Sequence, residues 1–440
     1  MADGILRLDR RRLIAGLGAA ALAPARSAAA AAEPQIVPVL HAKIDLGKSP
    51  PQRPDALLWE FAGPAETARE TAKRGTALEF RLANELPVPA GLNWHGLDGV
   101  PSSELLTAQA PLPSGASQNL QIPFGRSGTY LCDLRLLGDG QARASRALML
   151  IVAETEAVEV DHDEVFLIED FRLDPDGALV APGSDPKGTN LLYTINRESS
   201  QQVSARPHDR LRMRFINGCQ RSVIAVKIEN HDVRVIALDS QPAEPFPARN
   251  GAIVLAPGGR ADAFVDAAGP AGMTSAILLH DGKEARSIGR LVITDEPPIR
   301  SMPLPPFQAL KSDGPRAQLD LKNALRFELV LGGPAADWVT PATLAATTPP
   351  AFRARAGRIV VLALANRAGV AIVFHLHGHH FRLLDRLDDG WKPFWLDTLA
   401  IGPGQTEHVA FAAEYAGRWL LEAMATDWAA PRLVRWYSVE

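Results

Sequence analysis

Short apolar segments with strand-like character recur along the chain, and stretches rich in Pro, Gly and Asp separate them. They fall into three groups. The first covers 57–62, 77–82, 117–123, 129–134 and 146–152; the second covers 165–169, 210–217, 223–228, 233–238 and 261–265; the third covers 327–331, 359–365, 381–384, 407–412 and 417–422. Many short strands joined by turns are typical of β-sandwiches and barrels rather than parallel sheets. The pattern predicts an all-β protein.

A weak internal repeat divides this pattern into three parts. The segments 81–84, 213–217 and 362–366 each end a predicted strand with Asn, and an apolar segment follows. A chain of 440 residues also has the length of about three domains. A Pro-rich stretch at 297–306 has the composition of a linker. We therefore predict domains over 33–156, 157–298 and 299–440.

The first 32 residues have the pattern of an export signal. Three arginines at 10–12 precede an apolar run at 13–23 and a run of small residues at 28–32. The apolar run is shorter than the ~20 residues that a membrane span needs. The paired arginines predict a twin-arginine signal, and an ordinary secretory signal is the alternative. Both readings predict a periplasmic protein that begins near Glu33 and has no transmembrane segment.

Composition narrows the classes of partner. The formal net charge is −4, so the chain gives no reason to expect nucleic acid as a ligand. Hydrophobic residues make up 46% of the chain, which is enough for packed cores. We expect a monomer, for which envelope proteins are the candidate partners.

The stretch Ile-Val-Phe-His-Leu-His-Gly-His-His-Phe at 372–381 carries the strongest chemical signal. On a strand, His375 and His377 point to the same face, and neutral imidazole binds copper, zinc and iron. The run resembles the third-domain copper motif of the multicopper oxidases. Segments 93–101, 128–135 and 417–424 resemble the other three copper motifs, in the same order along the chain. Segment 161–170 resembles the first strand of the family's middle domain.

This resemblance to the three-domain, laccase-like oxidases implies three consecutive cupredoxin-like Greek-key β-sandwich domains. It also implies where the copper ligands should be. The lone copper of the trinuclear cluster maps to Asn93 and His375. The coupled copper pair maps to His95, Asp133 and Met424 on one ion, and to Arg135, His377 and Glu422 on the other.

Most of these positions no longer hold a ligand of the family type. Histidine survives at His95, His375 and His377. The blue-copper positions hold Ile372, Ala423, Trp428 and Leu433, none of which is a blue-copper ligand. We therefore expect remnant ligands without a metal, no catalytic residue and no cofactor. In their place we expect a replacement cluster of Asn93, Asp133, Arg135, Glu422 and Met424.

Within that cluster we expect the Arg135 guanidinium within ~4 Å of the Asp133 or Glu422 carboxylate, because a guanidinium can bridge two carboxylates. The alternative is a copper ion or another single divalent metal, held by His95, His375 and His377 with an oxygen ligand from Asp133 or Glu422. Cys132 and Cys219 fall in different predicted domains. The family resemblance and an oxidising compartment allow a bridge between them, and two buried thiols are the alternative.

Two classes of function follow. The first is a non-catalytic exported scaffold, similar to the copper-free, twin-arginine-exported pseudo-oxidases associated with bacterial cell division. The second is a metal-dependent oxidoreductase that uses a reduced histidine site between domains 1 and 3.

Overall fold

The computed structural model describes residues 35–44, 56–61 and 71–440, apart from 312–313, 316–317, 334–336 and 386–389. The predicted signal segment 1–32 lies outside the described residues. Strands dominate the described chain, and its helical residues form short 3-10 turns at Pro101–Ser103, Arg135–Leu137, Arg249–Gly251 and Pro341–Thr343. Among the described residues, no helix has the length and hydropathy of a membrane span. The predicted all-β class is confirmed.

The first stretch of chain builds two four-stranded sheets. Its strands are β1 (Gln35–Ile44), β2 (Ala56–Phe61), β3 (Thr71–Lys73), β4 (Ala77–Asn84), β5 (Asn93–His95), β6 (Ser117–Pro123), β7 (Gly128–Asp133) and β8 (Leu148–Ala153). One sheet has the order β2-β1-β4-β6 and the other β3-β8-β7-β5. Strand β6 alternates exposed and buried residues, so its apolar face packs on the core between the sheets.

The second stretch builds a seven-stranded and a five-stranded sheet. Its strands are β9 (His162–Leu173), β10 (Leu179–Val180), β11 (Asn190–Ile195), β12 (Gln201–Ala205), β13 (Arg210–Asn217), β14 (Ile224–Ile228), β15 (Arg234–Leu238), β16 (Gln241–Pro247), β17 (Ala252–Leu255), β18 (Arg260–Asp266), β19 (Thr274–His280) and β20 (Ala285–Ile293). The larger sheet has the order β10-β9-β13-β18-β15-β16, with β11 also on β9; the smaller has the order β12-β20-β19-β14-β17.

The third stretch builds a four-stranded and a five-stranded sheet. Its strands are β21 (Leu325–Leu331), β22 (Arg353–Ala354), β23 (Ile359–Asn366), β24 (Ile372–Leu376), β25 (Arg382–Leu383), β26 (Thr398–Ile401), β27 (Thr406–Ala412), β28 (Gly417–Ala425) and β29 (Arg432–Val439). The orders are β21-β23-β27-β25 and β22-β29-β28-β24-β26. The three pairs of sheets fall within the predicted domain ranges, whose limits stay a prediction.

The repeated asparagines have the same structural role in each part. Asn84, Asn217 and Asn366 are fully buried at the ends of β4, β13 and β23. Each side-chain amide donates to a nearby carbonyl and to a distant one at 2.8–3.0 Å, and Asn366 also donates to the carbonyl of Gly402 at 3.1 Å. Each Oδ1 accepts the backbone N–H two residues later. The asparagine thus satisfies backbone groups that the strand leaves unpaired, which explains the repeat.

Both cysteines are free and buried. The Cys219 thiol lies 3.7 Å from the carbonyl of Ile168. Burial raises the pKa of both thiols well above the ordinary value. The structure therefore matches the two-thiol alternative and not the disulfide.

Candidate functional site

A single carboxylate organises the site where β24 and β28 lie side by side. The antiparallel register places His375 directly opposite Glu422. His375 Nδ1 lies 3.1 Å from Glu422 Oε1, and His377 Nε2, just beyond the end of β24, lies 2.7 Å from the same oxygen. All three residues are buried. An ionised carboxylate only accepts hydrogen bonds, so both imidazole nitrogens must carry protons here.

Two further donors complete the shell of Glu422. The Asn93 amide donates to Oε1 at 3.0 Å, and the Arg432 guanidinium makes a close ion pair with Oε2. Asn93 lies on β5 and Arg432 on β29, so the carboxylate joins the first and third stretches of the chain. Burial alone would raise the pKa of Glu422, but Arg432 and the two histidines hold it well below its usual range. Glu422 is therefore ionised at neutral pH.

His377 lies between two carboxylates. Its Nδ1 is 2.7 Å from Glu104 Oε1, on the opposite side of the ring from Glu422. Burial would lower the pKa of His377, but Glu104 and Glu422 outweigh it and raise the pKa to about 10. Burial lowers the pKa of His375 to about 3, and the neighbouring His95 and His377 act in the same direction. At neutral pH, His377 is thus an imidazolium and His375 a neutral imidazole.

His95 completes the group of predicted remnant ligands. Its ring stacks on His375, with 4.1 Å between centroids and 17° between planes. His95 Nε2 lies 3.5 Å from Asp133 Oδ2. Burial would raise the pKa of Asp133, but His95 and Arg135 lower it to about 2. The structure therefore brings His95, His375, His377, Asn93 and Glu422 together.

The predicted position of the Arg135 side chain was wrong. Its guanidinium lies 3.3 Å from Glu169 and donates to the carbonyl of Cys219, whereas only its backbone N–H bonds to Asp133. The chain leaves β7 at Asp133 and enters the 3-10 turn Arg135–Leu137, which carries the side chain toward the second stretch of chain. The cation beside Glu422 is Arg432 instead.

Sequence reasoning missed Arg432 because it predicted no strand after 422. Hairpin β28–β29 pairs Arg432 with Met424, next to Glu422 along the sheet. Met424 is buried, as expected, but its sulfur accepts from two guanidinium groups, Arg221 at 3.1 Å and Arg432 at 3.2 Å. The apolar residues at 433–437, interrupted only by Arg435, were the available signal for this strand.

The blue-copper positions are packed as ordinary core. Ile372, Ala423 and Trp428 are buried, and Leu433 packs directly opposite Ala423 across the hairpin. The Trp428 indole donates to the carbonyl of Ala181 at 3.1 Å. Apolar packing and a satisfied indole leave no donor set for a redox copper at these positions.

The residues present do not fit a copper cluster. One ligand atom each from His375, His377 and Glu422 lies within 4.8 Å of the other two, which is close enough for an ion. However, a metal ligand must be deprotonated. Both nitrogens of His377 face carboxylates, and the Glu422 charge is already balanced by Arg432. Among the described residues, the structure contains no complete copper site.

Comparison with known proteins agrees with the fold. Two family models described as "Multicopper oxidase" match residues 155–275 and 318–440. The chain is 24% identical over 464 residues to the multicopper oxidase MmcO of Mycobacterium tuberculosis, covering 92% of this chain and 88% of that protein. It is 23% identical over 222 residues to laccase-17 of Arabidopsis thaliana, covering 45% of this chain and 37% of that one.

Solved structures give the same picture. The multi-copper oxidase of Pseudomonas thermotolerans superposes with a TM-score of 0.76 at 21% identity, over 92% of this chain and 98% of that chain. The multi-copper oxidase of Pseudomonas parafulva gives 0.74 at 23% identity, over 92% and 100%. The chain belongs to the multicopper oxidase family. Its paired sheets are the cupredoxin-like domains of that family.

Proposed function

We propose that this protein is an exported, copper-free member of its family that acts as a non-catalytic scaffold in the bacterial envelope. One observation carries the proposal: the carboxylate of Glu422, at a copper-ligand position, is saturated by Arg432, Asn93, His375 and His377. A guanidinium replaces the charge that a metal ion would otherwise supply. Ala423, at the position of the blue-copper cysteine, supports the same reading, because electrons would have no entry centre.

The resemblance to pseudo-oxidases associated with cell division extends the proposal to partners. A scaffold of this kind uses its loops to contact other proteins, and fold alone does not specify chemistry. We therefore propose envelope proteins as partners of a monomeric chain.

Metal analysis tests the absence of copper. Protein purified from copper-replete cells should contain no stoichiometric copper after dialysis against a mild chelator, and should show no thiolate-to-copper absorption. A family relative with complete copper motifs, treated in parallel, is the positive control. One or more copper ions per chain would contradict the proposal and support an oxidase.

A metal-dependent oxidoreductase remains a second candidate, because His375, His377 and Glu422 lie close enough to share an ion. Titration with Zn²⁺ or Cu²⁺ separates the two candidates. A saturable site that is lost in Glu422→Gln but retained in Arg432→Met would support the metal enzyme. The scaffold proposal expects no saturable binding to the unmodified chain.

Substitution of the paired arginines tests the proposed export route. Changing Arg10 and Arg11 together to Lys should block processing, because a twin-arginine receptor reads guanidinium groups that Lys does not reproduce. The paired change Arg7→Lys and Arg12→Lys is a charge-matched control that leaves the central pair intact. Normal processing of the first double variant would show that the general secretory route is used.

A further inference from the structure

The Pro-rich connection between the second and third stretches of chain contains a segment whose backbone is restricted by its sequence. In Met302-Pro-Leu-Pro-Pro306, every residue either is a proline or precedes one. The proline ring fixes φ at about −65°, and the residue before a proline is kept out of the helical region. Together these two rules favour a polyproline II conformation over 302–306.

The burial pattern agrees with this conformation. Leu304, Phe307 and Leu310 are half-buried, whereas the other residues from 301 to 311 are exposed. A polyproline II helix has three residues per turn, so residues three apart lie along one edge. Residues 302–310, which we call the proline ridge, therefore rest on the protein along one edge and present the other two edges to solvent.

The backbone of the proline ridge does not belong to any sheet. Within the described chain, none of its backbone groups forms a hydrogen bond with another backbone group. A polyproline II helix has no internal hydrogen bonds and a fully solvated backbone. The carbonyl groups on the open edges can therefore accept hydrogen bonds from a second molecule.

Side chains of the second stretch hold the inner edge of the ridge in place. The Arg210 guanidinium donates to the carbonyls of Leu304 and Pro305, at 3.3 and 2.9 Å. It also lies 4.1 Å from the centroid of the Phe307 ring, which packs on Phe264 with 5.2 Å between ring centroids. The ridge is thus ordered before any partner arrives.

Ion pairs fix the chain on both sides of the ridge. Arg300 donates twice to the Asp161 carboxylate, at 2.6 and 2.8 Å, and Lys311 pairs with Glu156 at 2.5 Å. A segment that is already held in its bound conformation loses little conformational entropy on binding. Because both cations have carboxylate partners, recognition of the ridge must rest on its apolar edges rather than on charge.

The open edges are apolar. Met302 is 72% exposed, more than any other large hydrophobic residue of the described chain. Pro303, Pro305 and Pro306 are exposed beside it. Contiguous apolar surface in contact with solvent is typical of interaction sites.

We propose that the proline ridge docks a partner domain that binds polyproline II helices in a shallow groove lined by aromatic side chains. Aromatic rings pack against exposed prolines, and the polar groups of Tyr and Trp donate to the ridge carbonyls. At about 3.1 Å per residue the ridge is roughly 25 Å long, which one small domain can span. This inference rests on the proposed scaffold function, for which it names the kind of partner.

The direct test uses an SH3 domain as the probe, because its aromatic groove binds Pro-x-x-Pro segments. Pro303 and Pro306 have this spacing. Titration of the isotope-labelled SH3 domain with the full chain should give saturable changes in the NMR signals of its groove residues. No saturation at millimolar concentration, or changes spread over the other faces of the domain, would overturn the proposal.

The double variant Pro303→Ala and Pro306→Ala tests the ridge itself. It should bind the SH3 domain at least tenfold more weakly at an unchanged melting temperature, because both side chains are exposed. Pro297→Ala with Pro298→Ala is the matched control: both prolines are exposed in the same connection but lie outside the ridge, so binding should be unchanged. Equal weakening by the two pairs, or unchanged binding in the first, would overturn the proposal.

Photocrosslinking in cells tests for a natural partner. A benzophenone amino acid replaces Met302 in one variant and Val254, which is 67% exposed on β17, in the control. A crosslink from position 302 alone that maps to an aromatic-lined groove of the partner, and that is lost with Pro303→Ala and Pro306→Ala, would support the proposal. Equal crosslinks from both positions, or none from position 302, would overturn it.

Copper content is measured on the same preparation as SH3 binding, which separates this inference from the proposed function. A copper-free chain that binds the SH3 domain supports both. A copper-free chain that does not bind it contradicts the ridge alone. A chain that binds both copper and the SH3 domain contradicts the copper-free scaffold and supports the ridge.

Discussion

Two histidines on one strand face have opposite ionisation at this site. The ring of His375 touches one carboxylate and lies between two other imidazoles, so burial lowers its pKa to about 3. His377 touches two carboxylates, which raise its pKa to about 10 despite burial. The two positions are equivalent in the sequence pattern. Their difference comes from Glu104, which the metal motifs do not include.

The cost of removing Arg432 follows from this arrangement. Arg432→Met should lower the free energy of unfolding by about 3–5 kcal/mol, because Glu422 would remain buried with its main counter-charge gone. Chemical denaturation measures the effect. Adding Glu422→Gln to Arg432→Met should recover part of the loss, since the uncompensated charge disappears.

The matched control for this prediction is Arg353→Met. Arg353 pairs with Glu440 in an exposed salt bridge at 2.8 Å, and removing an exposed pair costs at most about 1 kcal/mol. If Arg432→Met were no more harmful than this control, Glu422 would have to be compensated by other groups, and the view of Arg432 as a substitute cation would be wrong.

At the scale of elements, pattern reasoning located about half of the described strands but not their ends or all of their partners. The predicted strand 129–134 agrees with β7, and 117–123 with β6. The strands that the prediction missed include β5, which has only three residues, and β29, in which arginines interrupt the apolar pattern. Ligand positions could be predicted because motifs fix local spacing. Arg432 could not, because its approach to Glu422 depends on a hairpin that had not been predicted.

The turn after β24 depends on a glycine. Gly378 has φ 73°, and a Cβ there would lie 2.1–2.5 Å from the Trp419 ring. Gly378→Ala should therefore cost the backbone strain of about 1–2 kcal/mol and a further ~1–3 kcal/mol for overpacking. The measurement is the shift of the denaturation midpoint.

Gly357→Ala separates the cost of backbone strain from the cost of a side-chain clash. Gly357 also has a left-handed backbone, with φ 82°, but no atom lies within 4 Å of its would-be Cβ. The free energy of unfolding of this variant should fall only by the cost of backbone strain. If Gly378→Ala and Gly357→Ala lowered the free energy of unfolding equally, Trp419 would have to move aside without an energetic cost.

At the scale of the whole molecule, a second buried charge cluster joins all three stretches of chain. Arg260 on β18 pairs with Asp397 at 2.9 Å, and Asp397 in turn accepts from the backbone of Gly96. Asp239 accepts from the backbone N–H groups of Arg260 and Asp397. Three charged side chains and their backbone partners therefore meet where the predicted domains meet.

This cluster predicts a pH dependence of stability. Burial and the neighbouring Asp397 raise the pKa of Asp239 to about 6, whereas the closer Arg260 keeps the pKa of Asp397 low. A carboxyl group with a raised folded-state pKa binds its proton more tightly in the folded state. The contribution of Asp239 to the free energy of unfolding should therefore fall by roughly 2–3 kcal/mol as pH rises from about 4 to about 6.

Comparison of Asp239→Asn with the unmodified chain measures this contribution. The difference between their free energies of unfolding should change over that pH window and be flat above about pH 7. Asp232→Asn, in an exposed pair with Arg234, serves as the control and should show a constant difference. A constant difference for Asp239→Asn as well would mean that Asp239 ionises normally.

The Glu422–Arg432 pair also constrains how this lineage could change. A return to a metal centre would require replacing both residues, together with the Glu104 carboxylate that keeps His377 protonated. Changing Arg432 first leaves a buried anion, and changing Glu422 first leaves a buried cation, so each single step passes through a chain with an uncompensated charge. If the protein is copper-free as proposed, its stability therefore opposes a change to a metal centre, and selection for oxidase activity would first encounter variants that fold less well.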